Sequence, residues 1–231
     1  ITTMVYGPVA VSVSPGDPQV MYIGTDFGVE KSTDSAATWN DANEELAGIV
    51  PNAMAVSPHN LDTLYVKTQQ GIYKSTTAGN DWQYLDHGGG GWHGGDDIIA
   101  VDPVRPETVY FSAICEGQFC LDVSVDGGLT WEQKGGSANP LPSGYASNLC
   151  ISDAIAPSPA VPGRVLVGAT ILSESGAGES DGIFYVSDDY GETWSQGAFP
   201  MGMKAITEIK YDAFDANLIY AATVNSGLWR S

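Results

Sequence analysis

One eight-residue phrase recurs along this chain, and a recurring phrase narrows the choice of fold more than any other feature. Ser124-Val-Asp-Gly-Gly-Leu-Thr-Trp131 returns as Ser187-Asp-Asp-Tyr-Gly-Glu-Thr-Trp194. Eroded copies stand at 32–39 (S-T-D-S-A-A-T-W) and 75–82 (S-T-T-A-G-N-D-W), so successive copies begin 43, 49 and 63 residues apart. Self-similarity at such intervals is the mark of a repeat architecture, in which each unit is one supersecondary motif.

A second phrase gives the same period. A Ser or Asp, usually before Pro, is followed eight residues later by an aromatic or apolar residue inside a β-rich run. The pairs are Ser14 and Tyr22, Ser57 and Tyr65, Asp102 and Tyr110, Ser158 and Leu166, and Asp212 and Tyr220. Five units follow, against four Trp-ending phrases. The fifth unit reaches Gly227-Leu-Trp-Arg-Ser231, which matches Gly71-Ile-Tyr-Lys-Ser75 where the phrase of the second unit begins.

Each unit reads as short strands between tight turns. In the second these are Ala53-Met-Ala-Val56, Thr63-Leu-Tyr-Val66, Gly71-Ile-Tyr-Lys74 and Trp82-Gln-Tyr-Leu85, with Pro, Gly, Asn and Asp between them and no helical period. The pattern predicts an all-β chain: a β-propeller of four-stranded antiparallel blades, either five-bladed or part of a larger propeller. It reads as one domain over 1–231, with units at about 8–40, 52–85, 97–134, 152–197 and 206–231. The β-prone run Ile1-Thr-Thr-Met-Val-Tyr6 within 1–7 is expected to close the ring as the missing outer strand, and a trimmed or partial chain is the rival reading.

The phrase itself is a turn with a mechanism. An Asp side chain accepts hydrogen bonds from backbone N–H groups just ahead of it, Gly supplies positive φ, and Trp pins the hairpin on its neighbour. Asp34, Asp126 and Asp189, Gly128 and Gly191, and Trp39, Trp82, Trp131 and Trp194 are therefore read as structural. Ala36 replaces the Gly of the first turn and Thr77 the Asp of the second, so those two turns are expected to be weaker. These motifs resemble the Asp-box (BNR) repeats of sialidases, sortilin-type receptors, photosystem-assembly factors and the xyloglucanases with paired propellers. The resemblance covers nearly the whole chain. It implies the fold and leaves the function open.

Nine Lys and Arg against 28 Asp and Glu give a net charge of −19. A surface of that sign repels phosphate backbones and anionic bilayers, so neither nucleic acid nor membrane insertion is expected. With 43% hydrophobic residues the chain can bury a substantial core. Cys115 and Cys120, bracketing a four-residue loop, read as a disulfide or as two free thiols. The disulfide fits an extracellular, cell-surface or periplasmic protein. Cys150 is left over, as a buried thiol or as a link to another subunit in an assembly.

Propeller sites usually open where the innermost strands begin. Five residues before each Ser or Asp landmark stand Val9, Asn52, Asp97, Asp153 and Thr207, four of them polar. The loop leading into the third of these, Asp86-His-Gly-Gly-Gly-Gly-Trp-His-Gly-Gly-Asp-Asp97, concentrates Trp92, His93, Asp96 and Asp97 among six glycines. Trp92 could stack on a sugar face while Asp96 or Asp97 accepts its hydroxyl protons. A divalent cation held by His87 or His93 with the pair Asp96 and Asp97 is a weaker reading, because no fixed ligand spacing supports it, and a plain surface loop is the third. No metal or other cofactor is expected.

Glycoside hydrolysis needs two carboxylates across the scissile bond, for which Asp97 and Asp153 are the candidates. The sialidase pattern is missing. Arg105, Arg164 and Arg230 are the only arginines, and no Arg-Ile-Pro segment occurs. The sequence therefore points to a binding or structural module for a glycan or protein partner. A xyloglucanase-like glycoside hydrolase, or one propeller of a two-propeller glycosidase, is the alternative.

Overall fold

The computed structural model describes residues 10–85, 98–115, 118–135, 149–171, 181–197, 206–224 and 226–231. The expected closing strand at 1–7, with Val9, lies outside them. All regular structure among the described residues is β. The first blade holds β1 (Ala10–Val13), β2 (Met21–Thr25), β3 (Gly28–Ser32) and β4 (Asn40–Asp41), and the second β5 (Pro51–Val56), β6 (Leu64–Thr68), β7 (Gly71–Ser75) and β8 (Gln83–Leu85). The third holds β9 (Ile99–Val101), β10 (Val109–Cys115), β11 (Gln118–Ser124) and β12 (Glu132–Gly135). The fourth holds β13 (Leu149–Pro157), β14 (Val165–Ile171), β15 (Asp181–Ser187) and β16 (Ser195–Gln196). The fifth has three described strands, β17 (Ile206–Tyr211), β18 (Ile219–Thr223) and β19 (Gly227–Arg230). Each sheet is ordered as its strands follow in the chain, which is the blade succession of a β-propeller. Contacts cluster into two compact units. One holds blades 1 and 2 with β9 and the turn 124–130; the other holds the chain from 131 onward with most of β10 and β11.

The spacing of eight has a simple cause. The landmark N–H donates to the carbonyl six residues on: Ser14 to Val20, Ser57 to Thr63, Asp102 to Thr108, Ser158 to Arg164 and Asp212 to Leu218, all at 2.8–2.9 Å. That bond fixes the loop between the first two strands, so the eighth residue is always the second of the next strand.

The repeated phrase closes through a serine hydroxyl and a carboxylate. In the third turn Thr130 donates its N–H to Asp126 Oδ1 (2.8 Å) and its hydroxyl to Oδ2 (2.6 Å). Ser124 Oγ, fully buried, donates to Asp126 Oδ1 (2.8 Å) and accepts the Gly128 N–H (2.7 Å). Asp189 with Ser187 and Thr193, and Asp34 with Ser32 and Thr38, repeat this set within 0.2 Å. In the second turn Thr77 Oγ1 accepts the Asp81 N–H (2.9 Å) and meets Ser75 Oγ at 3.4 Å, two bonds where the carboxylate of the other turns makes three. Gly79, Gly128 and Gly191 hold φ of +91°, +93° and +92°, beyond the left-handed well open to other residues; Ala36 relaxes to +69°. The first turn thus keeps its hydrogen bonds and departs only in backbone shape.

Each turn is tied to its own blade, and the second and fourth turns also seat the blade before. Backbone N–H groups of Ser35, Ala78, Gly127 and Tyr190 donate to the carbonyls of Gln19, Asp62, Glu107 and Gly163 in the landmark loops (2.8–3.0 Å). In the first unit Trp82 Nε1–H donates to Ala42 of blade 1 (2.9 Å) and to Gly79 (3.1 Å). In the second unit Lys134 packs its stem on Gly191 and pairs with Glu132 and Glu192. Ala42 and Lys134 both stand three residues after the Trp of their own turn.

The cores follow the same order. Tyr22 and Val29 of blade 1 are buried with Val56, Leu64, Val66 and Trp82 of blade 2. In the second unit Ala154, Ala156 and Leu166 pack on Ile206, Ile209 and Ala221.

A Cβ at Gly79 would lie 2.9 Å from the Ala42 Cβ as well as at φ +91°. Gly79→Ala should therefore lose about 2 kcal/mol or more, and Ala36→Gly should gain about 0.5 kcal/mol, because only the latter relieves a left-handed non-glycine residue. Urea unfolding of both variants checks the pair; a Gly79→Ala midpoint equal to wild type would contradict the packing described.

Candidate functional site

Three of the residues five before a landmark, Asn52, Asp153 and Thr207, fall at register shifts in their strands; Val9 and Asp97 lie outside the described residues. Pro51 pairs with Thr68 and Ala53 with Lys67, so the register shifts at Asn52, one extra residue on β5. Thr207 occupies the same place between the Ile206–Thr223 and Glu208–Ala222 pairs. Asp153 falls in the register shift between Cys150 and Ala154. A β-bulge re-aims a side chain and breaks pairing locally, and bulges concentrate beside functional sites. In the second unit β13 and β17 lie against one another, which places the Asp153 and Thr207 bulges on neighbouring inner strands. Asn52 belongs to the first unit, where it is half-buried.

Around Asn52 the first unit presents exposed polar and aromatic groups. The β6–β7 turn puts Gln69 and Gln70 in solvent at the end of the blade where β5 starts. Tyr84 of β8 reaches the same end: its ring lies against Gly71 (φ +134°), where any Cβ would strike Cε2 at 2.6 Å. It meets Tyr73 edge to face at 5.4 Å and stays 50% exposed. Phe27, in the corresponding β2–β3 turn of blade 1, is 59% exposed, and its carbonyl accepts the Asn43 side-chain N–H (3.0 Å). The two turns belong to adjoining ends, since Pro51 of blade 2 packs on Gly24, two residues before the blade 1 turn.

Lys67 stands opposite Ala53, next to the Asn52 bulge, and is nearly fully buried. Sequence reasoning missed it. The signal was a lysine inside the apolar run Leu64-Tyr-Val-Lys67, where a buried ammonium persists only with partners. The exposed aromatics were missed too, since a Tyr or Phe in a β-rich run reads as core.

The remaining expectations divide. Trp92, His93, Asp96 and Asp97, with His87, lie outside the described residues, as do the side chains of Asp153, Cys115, Cys120 and Cys150. Among the described residues one acidic group, Glu44, Glu45 and Asp81, gathers carboxylate oxygens within 4.8 Å, all exposed. Glu45 already accepts the Trp82 backbone N–H (2.7 Å).

Comparison with known proteins gives the fold. No protein-family model matches the chain, and no curated protein sequence does. Solved structures do. An ancestral GH74 enzyme superposes with a TM-score of 0.72 at 17% identity, covering 96% of this chain and 30% of its own length. The GH74 xyloglucanase from Xanthomonas campestris gives 0.64 at 16%, covering 96% of this chain and 36% of its own. YCF48 bound to a D1 peptide gives 0.56 at 10%, covering 96% and 63%. The chain thus spans about a third of the length of the GH74 enzymes and under two thirds of YCF48.

Proposed function

We propose that this chain is a carbohydrate-binding propeller module built of Asp-box repeats, acting outside the cell or in the periplasm. One observation carries the reading: the Asn52 bulge opens at a blade end that also presents the half-exposed Tyr84 ring on a glycine backbone. A rigid aromatic gives flat apolar contact at little entropic cost, and amides beside it donate and accept at once. Asn52, Gln69 and Gln70 supply those amides, and a sugar ring presents the matching surfaces. The fold shared with GH74 enzymes supports a saccharide, and the fold shared with YCF48 on a peptide supports a polypeptide. The aromatic–amide pairing favours the saccharide.

A second reading is a propeller of a glycoside hydrolase, favoured by the Asp153 bulge beside that of Thr207 and by the GH74 likeness. It needs Asp97 as the second carboxylate.

Titration calorimetry with β-glucan oligosaccharides tests the first reading. The chain should bind, and Tyr84→Ala or Phe27→Ala should each weaken binding by about 2 kcal/mol while leaving the unfolding midpoint close to wild type. Wild-type binding to peptides but no oligosaccharide, or variants that bind as wild type, would overturn it. Release of reducing sugar that Asp153→Asn abolishes would instead establish the hydrolase.

A further inference from the structure

The β2–β3 and β6–β7 turns of the first unit share one build. Thr25 pairs with Gly28 and Thr68 with Gly71 at the ends of their ladders, leaving two loop residues in each: Asp26 and Phe27, Gln69 and Gln70. A two-residue hairpin ordinarily takes positive φ at its centre, which restricts that centre to residues such as Gly, Asn and Asp. Here all four central residues keep negative φ, and the positive φ falls one place later, on Gly28 (+120°) and Gly71 (+134°). The glycine absorbs the backbone shape, so a phenyl ring or a long amide can stand at the centre.

A turn outside the favoured shapes needs other bonds, and a buried threonine supplies two in each. Thr25 Oγ1 donates to the Gly28 carbonyl and accepts the Phe27 N–H, both at 3.2 Å. Thr68 Oγ1 donates to the Gly71 carbonyl and accepts the Gln70 N–H, both at 3.0 Å. The Phe27 carbonyl accepts in turn from the Asn43 side-chain N–H (3.0 Å) and the Gly48 N–H (3.2 Å). Both backbone groups of Phe27 are therefore held while its ring remains largely exposed, and Gln69 and Gln70 stand in solvent on a turn fixed in the same way. Fixing residues whose side chains bury nothing brings little to the core. It suits a binding surface, because the entropy of ordering those groups is then lost before the ligand arrives.

We propose that Thr25, Thr68 and Asn43 are positioning residues of the binding face: they touch no ligand, and they hold Phe27, Gln69 and Gln70 in place before a saccharide arrives. The inference rests on the saccharide reading given above. Thr25 and Asn43 grip the Phe27 backbone from its two sides, the hydroxyl at the N–H and the amide at the carbonyl. Thr68 does the same for the amide of Gln70. Without the hydroxyls each turn samples several shapes, and the ligand has to order the turn as it binds.

Titration calorimetry with β-glucan oligosaccharides, joined to nitrogen-15 relaxation of the Phe27 and Gln70 amides in the ligand-free protein, is the test. Thr25→Val and Thr68→Val keep the side-chain shape and delete the hydroxyl. Each should weaken binding about tenfold. Each should also lower the order parameter of the amide in its own turn from about 0.85 to below about 0.6. Thr25→Ser and Thr68→Ser, which keep the hydroxyl, should bind and relax as wild type does. Asn43→Ala, at a half-buried loop site, leaves both hydroxyls in place and should still weaken binding about threefold. Near-UV circular dichroism verifies the fold of each variant. Valine variants that bind as wild type, amides that stay rigid in them, or serine variants as weak as the valine ones would each overturn the positioning role and leave the saccharide reading in place. A wild type that binds no oligosaccharide would overturn the saccharide reading, and the positioning role with it.

Discussion

A buried serine hydroxyl bound to a neighbouring carboxylate is the interaction on which the rest of the molecule depends. Ser124 satisfies the Gly128 amide and at the same time orients Asp126, whose two oxygens then hold both donors of Thr130. With those groups satisfied internally, the turn can adopt a φ near +92° at its glycine and leave a flat backbone surface. Such a surface admits the approach of Lys134 to Gly191; at Gly79 the Ser75 hydroxyl and Thr77 hold the same shape against Ala42 without a carboxylate. A turn that looks like a local ornament is therefore the seat for the adjacent blade, and side chains elsewhere are chosen to reach it.

Much of this is legible in the amino-acid sequence alone. The landmark-to-aromatic spacing of eight announces a loop of constant length, and a landmark amide bonded to the sixth carbonyl is its cause. The strands of blade 2 fall within a residue or two of their expected places, because glycine and the turn residues mark both ends. The offset of five before each landmark points to Asn52, Asp153 and Thr207, and all three lie at register shifts. A bulge leaves no compositional trace, so its position comes from the repeat alone.

What sequence could not supply depends on contacts between blades. Position three after each Trp is Asn-Asp-Ala42 in one unit and Glu-Gln-Lys134 in another, with nothing in common except where the fold places it. Tyr73 and Tyr84 are paired in one row of the sheet and alike in type, yet Tyr84 stays half-exposed because it lies at the rim over Gly71. Burial of Tyr65 raises its phenol above the usual range, with Glu107 adding to it, and burial with Asp62 nearby pushes Tyr22 up to about 12. Those shifts arise from neighbours distant in sequence, which no local pattern announces.

The turn carboxylates put the account to its most direct measurement. The Thr130 hydroxyl and then its N–H hold the Asp126 carboxyl down at about 2, below its ordinary value of 3.8. A carboxylate depressed in the folded state contributes stability that is complete above its unfolded pKa and is lost as pH falls through the folded value. Carbon-detected NMR of the Asp126 side chain through an acid titration should thus show a midpoint near 2, with stability declining from about pH 4 downward as Asp34 and Asp189, also lowered, follow. A midpoint close to 4 in the folded protein would mean that the carboxylate is not held by its threonine, and the turn would lose its place as the seat of the adjacent blade.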